Sequence, residues 1–486
     1  MARSGFELFY AVRLRNILHY LGQFLLIVAG LNLVNVLAAL LFAEIRIGLN
    51  FLLVVAILGA SGYLLMRIPH RGQLQFNEAM VIAALFFLLV PVISTLPLQA
   101  SGVPFIDSLF ETISAVTTTG LSTLGAIESR PHSFVFARAW MQWYGGLGIV
   151  ILSLAMVLSP GLSSMRLATL ETEHDDLAGG TRAYAKRILL VYLVLTAGGF
   201  IVWLVLGGRP LEGLYYVLAA VSTGGFAPNN NSFADLANLR LAWSVTLLCL
   251  AGAVPLALYY TAANKGWRSL FSDIEFRAVL AAGVLTTVLL GGFIWLQERS
   301  LEAVLTHAPL MALSAQTTSG FSSMDPAALD PASKAVMIFA MSGGGGIGST
   351  AGGFKLMRLL LLFFIMTRCV VRMGLPNRAV QTRKWGGKVI DDREILDALL
   401  IVFAFLGVVF VSWTAFLYYG YSPLDSLFEV VSATATVGLS SGVTAEMLPA
   451  SLKLVLCADM LFGRLEFIAW MVLLYPRTWF GRQRES

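Results

Sequence analysis

The sequence predicts an all-α membrane protein: four tandem units of span, re-entrant loop and span around a pseudo-fourfold axis, preceded by an extra N-terminal helical pair. Three observations predict it. The 486 residues are 57% hydrophobic and only 13% charged, against about 25% charged residues in a soluble domain. Apolar stretches of spanning length recur from end to end, giving a mean hydropathy of +0.78. A pattern of 17 residues returns four times between those stretches. The composition alone excludes an ordinary water-soluble chain and a disordered one.

A bilayer core of about 30 Å needs roughly 17–25 apolar residues per helix. Such stretches lie near 19–43, 49–66, 77–97, 134–158, 186–206, 240–263, 277–296, 396–419 and 452–475. One more runs over 334–341 and continues through 356–368, with a glycine-rich interruption. Segments 105–117, 210–222, 301–316 and 423–435 are too short to cross and read as re-entrant half-helices. The expected units are a helical pair at 1–75 and repeats at 76–165, 184–265, 276–370 (its second helix broken) and 395–476, then a tail at 477–486. The first apolar run follows Arg15, lacks a small-residue cleavage site and is long enough to span, so it is read as a helix rather than a cleavable signal.

Net charge is +5. In this composition it points to basic cytoplasmic loops rather than to nucleic acid. An N-terminus inside the cell places 22 of the 33 Lys and Arg, from Arg3 and Arg13 to Arg484, on the cytoplasmic side with both termini. The loop 369–394 is the most basic stretch, and reads either as a docking face for a cytosolic partner or as a topology signal. Three cysteines far apart, no CxxC and five scattered histidines argue against a disulfide framework or a resident metal site.

Residues 107–123 read DSLFETISAVTTTGLST and residues 425–441 read DSLFEVVSATATVGLSS, identical at 11 of 17 positions. Two further copies are EGLYYVLAAVSTGGFAP (212–228) and HAPLMALSAQTTSGFSS (307–323). Each copy is a short apolar run, a Thr-containing turn, a glycine, then Leu or Phe. The aligned glycines are Gly120, Gly225, Gly320 and Gly438.

Four loops entering from one side converge on an axis. Irregular backbone at membrane depth is tolerated only inside protein or beside water. The turns offer hydroxyls and carbonyls from Thr117, Thr118, Thr119, Ser222, Thr223, Thr317, Thr318, Ser319 and Thr436, and none places a charge at the turn itself. Carbonyl oxygens replace the hydration shell of a monovalent cation and cannot serve an anion. Glycine suits a backbone that aims carbonyls at an axis, and the carboxyl ends of the half-helices favour a cation there. The reading is a cation pore. Asp107 and Asp425, read as preceding their half-helices, are expected to be N-terminal caps rather than ligands, with attraction of cations at the outer mouth as a secondary possibility.

On these residues the chain resembles the TrkH-type subunits of bacterial potassium uptake systems, in the superfamily that also holds KtrB and the plant HKT transporters. The likeness covers essentially the whole chain. It is carried by the four glycine-bearing turns with RAWMQWYGGLGIV (138–150), GGGGIGSTAGGFKLMRLLLL (343–362) and ADMLFGRLEFIAWMVLLYP (458–476). The resemblance implies potassium held mainly by carbonyls at Thr118, Thr119, Gly120; Thr223, Gly224, Gly225; Thr318, Ser319, Gly320; and Thr436, Val437, Gly438. Glycine rather than serine at position 120 resembles the potassium-selective class. The resemblance also implies K+ as the transported ion, a bacterial inner-membrane location, a homodimer and a separate cytosolic nucleotide-binding subunit of the TrkA type. No organic cofactor and no nucleic-acid partner are expected.

Glycine costs about 1 kcal/mol per helix position, so the tract Gly343, Gly344, Gly345, Gly346, Gly348, Gly352 and Gly353 is expected to break its helix mid-membrane. The break would form a hairpin beneath the filter, read as a gate; close helix packing through small residues is the alternative. A GxGxxG within it lacks the preceding strand of a dinucleotide site. Arg464 lies mid-span, where an ionisable residue needs water or a partner. It either points into the pore as a positive barrier or pairs with Glu466 or Asp459; Glu466, two residues away, faces elsewhere on a helix. Lys355 and Arg358 either snorkel to the inner interface or anchor the loop. A sodium or mixed-cation conductor and a secondary transporter with a midplane site are the rival functions. An enzyme is not expected, because no catalytic constellation is readable.

Overall fold

The computed structural model describes residues 11–70, 72, 74–157, 177–236, 238–374, 384–385 and 388–480. Arg3, Arg71, Arg166, Arg378, Arg383, Arg482 and Arg484, the loop segments 375–383 and 386–387, and tail residues 481–486 lie outside them.

Helices α1 (Leu14–Leu41) and α2 (Ile45–Met66) form the N-terminal pair. They cross at Gly22 and Gly62, where a Cβ on either would press against the other's carbonyl oxygen; small residues let two backbones approach where lipid supplies no hydrophobic drive. Repeat 1 is α3 (Phe76–Ala100), half-helix α4 (Phe105–Val116) and α5 (His132–Val157). The pair is tied to it at both ends. Glu44, between α1 and α2, accepts the His132 and Ser133 N–H groups at 2.8 and 3.0 Å, a carboxylate on the positive end of α5. Arg13 Nε meets Glu78 Oε1 at 2.8 Å.

Repeat 2 is α6 (Leu177–Val205), α7 (Pro210–Val221) and a split second helix, α8 (Leu239–Ala253) with α9 (Leu256–Lys265). A short α10 (Arg268–Ser272) leads to repeat 3: α11 (Ile274–Glu298), α12 (Leu301–Gln316), then α13 (Pro331–Gly343) and α14 (Leu356–Met373). Repeat 4 is α15 (Asp392–Tyr418), α16 (Pro423–Thr434), then α17 (Ala450–Arg464) and α18 (Ile468–Leu474), followed by α19 (Pro476–Trp479). A two-residue ladder, Lys384–Trp385 with Lys388–Val389, is the only strand pairing among the described residues.

Six described helices are long and apolar enough to cross a membrane: α1, α2 and the first helix of each repeat, counting Ala185–Val205 of α6. Two second spans expected to be continuous are not. The stretch 240–263 bends by 88° between α8 and α9, because Pro255 has no N–H and drives Val254 to an extended backbone (φ −82°, ψ 142°). The stretch 452–475 breaks at Glu466 and Phe467, whose φ values are +51° and +64°. There Ile468 N–H bonds back to Glu466 O at 2.7 Å, closing a γ-turn around Phe467. The break after Gly343 falls where the glycines place it.

The half-helices occupy the core and the first spans face outward. Phe110, Tyr216 and Phe428 are fully buried, while Val205 and Phe403 on the spans are 80% exposed. Amphipathic or apolar half-helices this short gain stability only by packing on both flanking spans.

Candidate cation pore and gate

Each half-helix ends in the same hydrogen-bonded closure. In repeat 1, Thr118 N–H bonds to Ala115 O and Thr119 N–H to Ser114 O. The same pair of bonds recurs as Thr223 to Ala220 and Gly224 to Ala219, Thr318 to Ala315 and Ser319 to Ser314, and Thr436 to Ala433 and Val437 to Ser432. This is the Schellman closure, with its left-handed position held by threonine rather than glycine. Thr118, Thr223, Thr318 and Thr436 have φ between +50° and +54°. Four β-branched residues in that region cost of order 1–3 kcal/mol each, and such strain persists only where surrounding structure imposes it. Two residues on, Gly120, Gly225, Gly320 and Gly438 have φ from +73° to +96°. The closure consumes N–H groups and leaves carbonyls outward.

The four corners form a closed ring. A Cβ on Gly120 would overlap the Gly224 carbonyl oxygen; on Gly225, Ser319 O; on Gly320, Val437 O; on Gly438, Thr119 O. Each glycine thus lies against the preceding residue's carbonyl in the next repeat, and repeat 4 returns to repeat 1. Thr119, Gly224, Ser319 and Val437 bring those oxygens to one axis. The sequence expectation that the shared position must be glycine has a steric reason: no side chain fits between neighbours.

The outer arm of each filter is held by a residue that the sequence reading passed over, the fifth of each copy. Glu111 Oε1 accepts Thr123 N–H at 3.1 Å and Ser122 Oγ at 2.5 Å. Glu429 Oε1 accepts Ser441 N–H at 2.8 Å and Ser440 Oγ at 2.5 Å. Met311 accepts Ser323 N–H, and Tyr216 donates to Ser232 O. The glutamate is present in both DSLFE copies, so the signal was readable. Ser114 and Ser432 accept the N–H of Gly120 and Gly438 at 3.0 and 3.1 Å. Repeat 2 has Ala219 there, and Gln142 from α5 substitutes, donating to Gly224 O and accepting Phe226 N–H.

Asp107 and Asp425 are not caps. The N-cap positions are Pro104 and Ser422, without side-chain cap bonds. Asp107 instead binds Lys453 at 2.5 Å and Asp425 binds Lys334 at 2.7 Å, each lysine coming from the second helix of the preceding repeat. A lysine within reach outweighs the helix's own N–H groups, since an ion pair here also satisfies a buried ammonium.

The glycine tract, residues 344–355, lies directly under the ring. Gly344, Gly348 and Gly353 have positive φ. Gly346 N–H bonds to Ala253 O at 2.9 Å and Thr350 N–H to Gly252 O at 3.1 Å, so the loop sits in the bend between α8 and α9. Glu275 holds it from α11 through Ile347 N–H at 2.9 Å. Gly345 and Gly346 pack closely on Ala351 and on Pro255, and Gly352 lies against Ala435 O; Gly343 is less crowded. Arg464 is buried and donates Nη1 to Thr350 O at 2.9 Å, a contact with the loop itself. Its Nε and Nη2 are without partners among the described residues. Neither expected acid pairs with it: Glu466 binds Arg358 at 2.5 Å, and Asp459 accepts Ser412 Oγ at 2.6 Å. Lys355 and Arg358 are buried and bond Ala351 O and Phe354 O. They anchor the loop and do not snorkel.

Known proteins share the sequence pattern and the fold of this chain. The family model described as TrkH, cation transport protein, matches residues 48–478. An uncharacterized cation transporter of Methanocaldococcus jannaschii is 27% identical over 472 residues, 96% of this chain and 97% of its own length. The Trk system potassium uptake protein TrkH of Escherichia coli is 29% identical over 426 residues, 84% of this chain and 87% of its own. The crystal structure of the potassium transporter TrkH from Vibrio parahaemolyticus superposes with a TM-score of 0.86 at 25% identity, covering 96% of this chain and all of that one. Matched over most of its length by sequence and by fold, the chain belongs to the TrkH family of cation transport proteins.

Proposed function

We propose that this chain takes up potassium across the bacterial inner membrane, through the carbonyl ring and past the loop 344–355 as its gate. The single observation that carries the reading is the closed cycle of glycine corners, Gly120 to Gly224, Gly225 to Ser319, Gly320 to Val437, and Gly438 to Thr119. Oxygens set on a common axis and no charged side chain at the turn suit a dehydrated monovalent cation. The relatives named for potassium uptake support that ion. The filter residues are Thr118, Thr119, Gly120 and their counterparts in the other three repeats. Arg464, held against Thr350 O, sets a positive charge beside the gate and retards cations there.

The orientation has both termini cytoplasmic. Val12 N–H bonds to Thr478 O at 2.8 Å, so the described ends share one face, and basic residues gather there as the positive-inside rule requires. Exposed Arg372 and Arg393, flanking the basic loop, suit docking by a nucleotide-binding cytosolic subunit, and the functional form is a homodimer.

Potassium-limited growth of an uptake-deficient bacterial strain tests the reading. Expression of this chain restores growth, and Gly120→Ser shifts uptake from rubidium toward sodium. Membrane-inserted protein that restores nothing, or sodium preferred over rubidium in the parent chain, overturns it. In proteoliposomes Arg464→Ala raises cation flux; unchanged or lower flux from correctly folded protein refutes the barrier role.

A further inference from the structure

The inner end of the ring carries four buried threonine hydroxyls, on Thr118, Thr223, Thr318 and Thr436. Two of them, on Thr118 and Thr436, have no hydrogen-bond partner among the described residues. The other two meet the gate loop. Gly352 N–H donates to Thr318 Oγ1 at 2.6 Å, and Thr350 Oγ1 stands 3.4 Å from Thr223 Oγ1, whose own hydrogen goes to Ser222 O at 2.7 Å. Two further loop donors go to carbonyls at the half-helix ends. Gly353 N–H bonds to Ala435 O at 3.0 Å, and Thr350 Oγ1 donates to Val221 O at 3.0 Å. A Cβ on Gly352 would overlap both Ala435 O and Thr436 Oγ1, so the loop backbone lies against repeat 4 as well.

These oxygens share a chemistry. They stand at the negative ends of half-helix dipoles, and they are the first protein oxygens on the inner side of the filter. A monovalent cation is the ligand that such a set would hold. The loop meets the same set with N–H and O–H groups, whose hydrogens carry partial positive charge. A buried hydroxyl without a partner is costly, and the loop satisfies neither Thr118 nor Thr436, although its backbone lies against the latter.

We propose that the four threonine hydroxyls and the half-helix end carbonyls form a cation site on the inner face of the filter, and that the gate loop closes the pore by setting its own N–H and O–H donors on the oxygens of that site. Loop and ion then compete for one set of acceptors. Any cation bound there disfavours the closed loop, and the closed loop lowers affinity for that cation by the same factor. The inference rests on the pore reading above and adds to it a reason why closing needs glycine at 352 and a donor at 350.

The test uses the full chain in proteoliposomes with rubidium flux and block by barium added on the loop side. Thr318→Val removes the acceptor of Gly352 N–H and raises unstimulated flux about fivefold, the equilibrium shift one ordinary hydrogen bond supports. Thr318→Ser keeps the acceptor and gives a lower unstimulated flux than Thr318→Val. Thr350→Val alters only the loop and also raises flux, which keeps the test decisive if Thr318→Val disturbs the filter. Thr118→Val, whose hydroxyl the loop does not use, weakens barium block by about tenfold, as loss of a charge-assisted oxygen contact would. Fluxes of Thr318→Val and Thr350→Val no higher than those of the parent and Thr318→Ser overturn the competition. Unaltered barium block in Thr118→Val overturns the site. Absence of rubidium flux in every form, Arg464→Ala included, overturns the pore reading and this inference with it.

Discussion

Repeats 1 and 4 share 11 of 17 filter residues, yet each carries its helix arginine at a different height. Arg138 stands 18 residues beyond Gly120, and Leu456 stands 18 beyond Gly438. Gly146 stands 26 beyond the first glycine, and Arg464 stands 26 beyond the last. Eight helical residues separate the two levels by about 12 Å. At the outer level Arg138 Nε meets Glu111 at 3.0 Å and stacks on the Phe226 ring at 3.8 Å. Glu429, the same residue in repeat 4, has no cation paired with it among the described residues. It is held by donors instead: Ser440 and Thr444 hydroxyls and the Ser441 and Val443 N–H groups. At the inner level Arg464 turns to the gate loop, while Gly146 packs on Ser222 and the Tyr192 hydroxyl. Near-identical filters can therefore be braced by charge or by neutral donors. The arginine freed from bracing in repeat 4 stands against the loop 344–355.

That comparison can be broken at several points. The largest loss of stability comes from Arg138→Met, which leaves Glu111 charged and buried without its cation, a change that costs about 3–5 kcal/mol. Its melting point in detergent falls furthest of the variants here. Glu429→Gln keeps shape and removes no cation; it costs about 1–3 kcal/mol through a mismatched donor. A drop in Tm as large as that of Arg138→Met would end the distinction between charged and neutral bracing. Ser114→Ala and Ser432→Ala each lose one bond to a filter N–H and cost about 1 kcal/mol. Ser114→Ala falls further, because Ser114 Oγ also donates to Leu121 O at 2.6 Å; equal losses in Tm would show that this added bond carries no weight. The smallest effect is that of Asp425→Asn. Its side chain is 30% exposed, against 12% for Asp107, so it loses at most about 1 kcal/mol, less at high salt. Asp107→Asn falls further in the same melting assay.

Much of the pore was legible because it is local. The half-helices 105–117, 210–222, 301–316 and 423–435 end within a residue or two of the observed ones, and the glycines mark the corners, since helix closure is settled within six residues of chain. The break after Gly343 was legible for the same reason. The bend at Pro255 had a signal, a proline inside a span, that the apolar run concealed. The break at Glu466 and Phe467 had none: no glycine or proline stands in LEF, and the left-handed backbone is imposed by surroundings. Glu111 and Glu429 were readable as a repeated acid in an apolar run but sit away from the turn. Gln142 was not readable, because it replaces a serine that is missing from a different repeat.

Hydrophobicity and backbone chemistry act over a few turns of chain, so the sequence by itself determined the spans, the four half-helices and the glycine corners. Which acid meets which base was decided only by assembly. Asp107 and Lys453 are 346 residues apart, and the helix-capping role that Asp107 has locally yields to an ammonium that only ring closure brings within reach. The seat of the loop 344–355 was decided in the same way, by the bend of another repeat, the end carbonyls of two half-helices and the Thr318 hydroxyl of a third, groups that no neighbouring residue supplies.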